Sequence, residues 1–258
     1  MNKNLKCFIQ CVLVCCLFQS CKKDEVIKST DPEITPVIKP SNSLKYRSDS
    51  ISFDIKNEHY YFNKTNSIGI GNSQLNIKAY DNAIPGRTFA TATSGKFWYG
   101  EIDSTMYSAI FGLRSDLDIR SSLEIFFNKK FKISELSGNL RTLVPNDQFE
   151  IFKIGKKSFA IDYEKENRRE GVIFNLSLPN LSLSSLTPGF SIVLQSFRTD
   201  IQDDSLFEIT KMEHVEGDRY LVEAKFKLNV FDKDERLFRI ENGYMRKNVN
   251  MKNNMAFF

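Results

Sequence analysis

Asp116 and Asp118 stand two residues apart, so on a strand both carboxylates face one way, which would supply half of a calcium site. Calcium takes six to eight oxygens, and two are in view here. A charged loop end before Ile119 is therefore the plainer expectation, and Asp116 and Asp118 remain only weak metal candidates. The two histidines, His59 and His214, do not belong to an H-E-x-x-H, and a zinc cluster would need cysteines that the later chain lacks. His59 falls at a hairpin and His214 near a charged turn, where rim histidines are common. Gly71-Asn72-Ser73-Gln74-Leu75 lacks the closing glycine of a nucleophile elbow. A Ser-His-Asp site assembled from distant positions stays open. Asp232-Lys233-Asp234 fails as an EF-hand because Leu237 falls where that loop needs glycine. Gly69-Ile70-Gly71 lacks the lysine and helix of a phosphate loop. The 32 acids satisfy the two-carboxylate requirement of glycoside hydrolysis without discriminating anything. No metal and no cofactor is expected.

The binding surface to look for is Phe97-Trp98-Tyr99, which lies between Gly95 and Gly100 and holds the single tryptophan. Successive aromatics on a strand point to both faces. If Phe97 and Tyr99 pack inward, Trp98 is a platform for the apolar face of a sugar, and Trp98 and Tyr99 are the candidate ligand-binding residues. The competing arrangement puts Trp98 in the core and its neighbours under a loop.

The amino terminus carries an address. Lys3 and Lys6 precede the apolar run from Cys7 to Phe18, too short for the ~20 residues of a bilayer-spanning helix. All five cysteines (Cys7, Cys11, Cys15, Cys16, Cys21) lie within this region, so a chain cut before Cys21 keeps one and makes no internal disulfide. Leu17-Phe18-Gln19-Ser20-Cys21 resembles the lipobox of bacterial lipoproteins, which implies acylation of Cys21. Ser20-Cys21-Lys22-Lys23-Asp24-Glu25 resembles the start of lipoproteins from Bacteroidota, which implies the outer membrane, on the cell surface or facing the periplasm. The expected organisation is a signal peptide over 1–20, a lipidated cysteine and Pro-rich tether over 21–43, and a β domain over 44–258, whole or in two subdomains. Pro32, Pro36 and Pro40 keep the tether open, with a reach of up to about 70 Å.

Composition is globular, with 41% hydrophobic and 26% charged residues, and 22 Phe with nine Tyr favour strands. Without Lys3 and Lys6 the 36 basic residues fall to 34 against 32 acids, a net +2 that gives no electrostatic case for nucleic acid. Period-two alternation marks Ile51 to Lys56 and, most regularly, Tyr220, Val222, Ala224, Phe226, Leu228 and Val230. The last third reads as a three-stranded meander with this run in the middle. Asn57-Glu58, Asn128-Lys129-Lys130 and Gly155-Lys156 read as hairpin turns, Gln74 to Tyr80, Phe149 to Ile154 and Ser191 to Phe197 as strands, and 164–170 as a charged loop. About a dozen strands without a ten-residue amphipathic helix predict an all-β fold, an antiparallel β-sandwich or partly closed barrel.

The stretches 149–174, 205–232 and 238–249 are similar to β-rich surface lipoproteins of Bacteroidota, a family without an established activity, so the resemblance carries no functional residue. The expected function is that of a lipid-anchored, non-enzymatic envelope protein binding a glycan or another envelope protein. A pilus-like or envelope-assembly module is the alternative, and a glycan-acting hydrolase the third. An aromatic surface patch, a long uncovered strand edge or a cleft with facing carboxylates would favour these in turn.

Overall fold

A computed structural model describes residues 48–87, 91–139, 142–161, 170–186 and 200–251, all within one compact unit, Ser43–Phe258. The signal, Cys21, the tether and the strand expected at 191–197 lie outside the described residues.

The chain runs through Ser50–Ile55 (β1), turns at Lys56 and Asn57, and returns as Glu58–Phe62 (β2). Both turn residues have positive φ, as a two-residue hairpin turn requires. After Asn63 comes Lys64–Ser73 (β3). Lys78–Tyr80 (β4), Thr91–Thr93 (β5) and Lys96–Tyr99 (β6) make a small separate sheet, and Ser104–Arg114 (β7) and Ser122–Lys132 (β8) a long hairpin. Leu136–Asn139 (β9) and Thr142–Pro145 (β10) pair with each other. Gly155–Lys157 (β11), Gly171–Leu178 (β12) and Leu181–Ser184 (β13) lead to the expected meander, Leu206–Glu216 (β14), Arg219–Phe231 (β15) and Leu237–Asn250 (β16). Among the described residues the helical elements are two 3-10 turns, Ile133–Glu135 and Gln148–Glu150, and no helix is long and apolar enough to cross a membrane.

The fold is all-β. Its main sheet is antiparallel and curled into a half-barrel, in the order β2-β1-β16-β15-β13-β12-β8-β7-β3. The two end strands, β2 and β3, are consecutive in the chain. Residues 58–73 therefore pair with β1 in their first half and with β7 in their second, and at the handover the Asn63 amide donates to the Arg114 carbonyl at 3.2 Å. The inner face is a bed of phenylalanines. Phe226 stacks with Phe207 at 5.9 Å and lies 4.9 Å from Phe174, and Phe152 enters from the turn after Gln148–Glu150 to meet Phe127 at 5.3 Å. Gly243 is obligatory there, since a Cβ would come 2.2 Å from the Phe226 ring.

A buried ion pair fastens the place where the sheet returns on itself. Lys247 of β16, 1% exposed, donates to Asp49 just before β1 and to Thr65 of β3 at 3.3 Å, while Thr65 donates to Asp49 at 2.9 Å. The backbone and side-chain amides of Asn248 complete the set around Asp49 at 2.8 and 2.9 Å. Burial pulls the Lys247 ammonium below its ordinary pKa, and Asp49 opposes that shift.

Five local expectations are corrected. Gly155-Lys156 is no turn but the start of β11, and the first hairpin turns at Lys56-Asn57 rather than Asn57-Glu58. Asn128-Lys129-Lys130 is no turn but the middle of β8, with Gly171 opposite Asn128 on one side and Met106 to Ser108 opposite all three on the other. Phe149 to Ile154 is no strand: it is a 3-10 turn and its continuation, whose Ile151 and Phe152 plug the half-barrel. Gln74 to Ile77 bends, leaving only Lys78–Tyr80 extended, while the Gly-containing run before it forms β3.

Candidate functional site: a lysine-edged pocket

The run Leu123, Ile125, Phe127, Lys129, Phe131 alternates along β8, so Lys129 shares the inner face with buried phenylalanines. Its ammonium lies 5.6 Å from the centre of the Phe131 ring and donates to Glu150 at 2.7 Å. Lys157 of β11 stands opposite Phe207 in register and so also faces inward, while its neighbour Lys156 stands opposite Glu208. Beyond Lys157 the chain leaves β14 and joins β12: the Val172 amide donates to the Ser158 carbonyl at 2.8 Å, and the Ala160 amide to the Val172 carbonyl at 3.1 Å. This switch of partner opens a pocket of about 170 Å³ between β8, β11 and the start of β12. Phe127, Ile151 and Val172 supply apolar wall, and Lys129, Lys156, Lys157, Glu150 and Glu170 supply charge. Gly171 makes the approach possible, since its φ is +126° and a Cβ would sit 2.5 Å from the Ser158 oxygen.

The electrostatics are those of lysine excess. The Lys129 bond, then the charges of Lys129, Lys153 and Lys157, hold the Glu150 carboxyl below its ordinary value. Burial first, and repulsion from Lys129 next, hold Lys157 below the 10.5 of a free lysine. Next to Glu150 in the chain, the half-exposed Phe149 packs edge-on against Tyr220 at 5.1 Å, and Tyr220 meets the His214 ring at 5.1 Å.

The residues singled out from the sequence lie elsewhere. Trp98 is half-buried on β6, and its Nε1 meets no hydrogen-bond partner among the described residues. Tyr99, 1% exposed, points to the other face, where its hydroxyl accepts from the Ile84 amide at 2.7 Å and Arg87 lies over its ring. Asp116 and Asp118 flank Leu117, 85% exposed, in the loop after β7 rather than on a strand. Asp116 accepts from Asn63 at 2.7 Å, and Asp118 is held below its ordinary pKa by bonds from Arg120 and Ser121. His59 meets Asp54 at 2.7 Å, and His214 donates to the Gly217 carbonyl at 2.6 Å. Among the described residues no three His, Cys, Asp or Glu side chains gather as a metal site would need. Cys21 lies outside the described residues.

Sequence reasoning missed Lys129 and Lys157. The available signal was a charged residue at an inward position of an alternating apolar run, hidden because Asn128-Lys129-Lys130 has the composition of a turn. The chain matches no protein-family model, no curated protein and no solved structure.

Proposed function

We propose that the chain is an outer-membrane lipoprotein held through Cys21, whose β domain binds a glycan or another envelope protein and catalyses no reaction on it. The observation that carries this reading is the aromatic group of exposed Phe149 and His214 around part-buried Tyr220, continuous in the chain with the wall of the pocket at Glu150. Aromatic faces beside a small polar cavity suit the mixed apolar and polar surface of a saccharide. Hydrolysis is less well supported: a glycosidase acid must carry a proton to its leaving group, whereas Lys129 holds Glu150 ionised. For the assembly alternative, β14 pairs with β11 only from Phe207 to Ile209, and no strand among the described residues pairs with its outer side beyond. That stretch carries Lys211, Glu213 and Glu216, the kind of charge that discourages edge-to-edge pairing.

A glycan array probed with residues 43–258 tests the reading. Retention of a discrete set of glycans that weakens in Phe149→Ala is expected. Indiscriminate or absent retention, with no envelope protein cross-linked in cells, would overturn it.

A further inference from the structure

Four lysines reach the pocket region from two chain segments, Lys129 from β8 and Lys153, Lys156 and Lys157 from the stretch that plugs and crosses the half-barrel. The acids facing them are Glu150 and Glu170 in the pocket and Glu208 opposite Lys156. Glu150 is already engaged: one oxygen accepts from Lys129 at 2.7 Å and the other lies 4.0 Å from Lys153. Lys156 and Lys157 form no hydrogen bond or ion pair with any described residue. An ammonium carries three donors and is costly to strip of water without a partner. Lys157 is part-buried and inward-facing, and burial with the like charges of Lys129 and Lys153 outweighs the attraction of Glu150, so its proton is held less firmly than usual.

We propose that this pocket receives a single tetrahedral oxyanion, a sulfate or phosphate group carried on the ligand's sugar, with Lys157 as the anchoring cation and Lys129 and Lys156 as its flanks. The inference rests on the ligand-binding reading above and names the chemical class of the ligand. Size supports it: about 170 Å³ is well below the roughly 300–1,000 Å³ of sites that engulf a whole small molecule, so one charged substituent enters and the sugar stays outside. Shape supports it as well. The lysines that line the pocket come from two strands, β8 and β11, so an acceptor with oxygens in several directions serves them better than a planar carboxylate. Charge-assisted bonds of this kind are the strong ones in a partly dry site, and the bound anion would draw the Lys157 proton back toward ordinary firmness.

Calorimetric titration of the full-length protein in non-ionic detergent tests the proposal, with sulfated and phosphorylated glucose, inorganic sulfate, inorganic phosphate and acetate compared at constant ionic strength. Saturable one-to-one binding of the two substituted sugars is expected, with acetate about tenfold weaker, the scale of one lost charge-assisted bond. Lys157→Met should abolish binding and Lys157→Arg retain it. Lys156→Met, at an exposed residue, should weaken binding severalfold and keeps the test available if the Lys157 variants fail to fold. Affinity should decline with rising pH before the 10.5 of an ordinary lysine is reached. No saturable binding of either sugar, binding of free ions alone, acetate binding as tightly, or indifference to Lys157→Met and Lys156→Met would each overturn the proposal. Array glycans that are retained but uncharged would sink this inference and leave the binding reading standing. Substituted glucose that binds while no array glycan is retained and no envelope protein is cross-linked would sink the reading and leave the oxyanion site.

Discussion

Lys247 and Lys157 are both lysines turned toward the inside of one half-barrel, and they have opposite surroundings. Lys247 is sealed in with Asp49, Thr65 and Asn248, so every neighbour that could answer its charge is already there. Lys157 has apolar wall, two like charges nearby and a carboxylate committed to Lys129. A buried charge with its full set of partners is part of the architecture, whereas a part-buried one with no hydrogen-bond partner among the described residues is where a ligand could supply it.

Substitution should separate the two. Lys247→Met would leave the Asp49 carboxylate buried without its counter-charge and is expected to cost about 3–5 kcal/mol, read as a lowered midpoint in chemical denaturation. A loss under about 1 kcal/mol would mean that the seam is not pinned by this pair. Gly171→Ala comes next: the new Cβ meets the Ser158 oxygen in a backbone region that L residues avoid, for an expected loss of about 1–3 kcal/mol. It should also weaken oxyanion binding, since the crossing from β14 to β12 shapes the pocket. Lys157→Met has the smallest expected effect on the unliganded protein, within about 0.5 kcal/mol of neutral or slightly stabilising.

The pH dependence sharpens the same contrast. Glu150 has a depressed pKa, so its contribution to stability is present above the ordinary 4.5 and is lost as pH falls through its folded value. Lys157 is also depressed, but for a lysine this means that the unfolded chain binds the proton more tightly. Stability should therefore rise as pH climbs from the folded value of Lys157 toward 10.5. The gap in melting temperature between the wild type and Glu150→Gln should close toward the acid end, and that between the wild type and Lys157→Met toward the alkaline end. Parallel curves would show that neither environment is as described.

Legibility in the sequence followed local regularity. Tyr220 to Val230 alternates without a break, so β15 and its two partners are readable, and Asn57-Glu58 marks the first hairpin, one residue late for the turn at Lys56-Asn57. β3 was missed because Lys64–Ser73 offers two glycines and six polar or charged side chains, with only Ile68 and Ile70 to mark an inner face. Phe149 to Ile154 misled in the other direction, since an apolar run fills a barrel mouth as readily as it makes a strand. The pocket was invisible because it has no motif. Its lysines come from β8 and β11, and their convergence depends on Gly155 and Gly171 letting a short crossing segment change partner.

The continuity of residues 58–73 also constrains how the chain can reach this fold. β1 completes its pairing only when β16 arrives, Ser50 opposite Arg246, so the first described strand waits for the last. Pairings that distant in sequence close slowly, because the loop entropy is spent before the contact is made. A polypeptide built this way stays open until nearly all of it has been delivered, and for the exported lipoprotein proposed above that would postpone compaction until the chain has crossed the membrane.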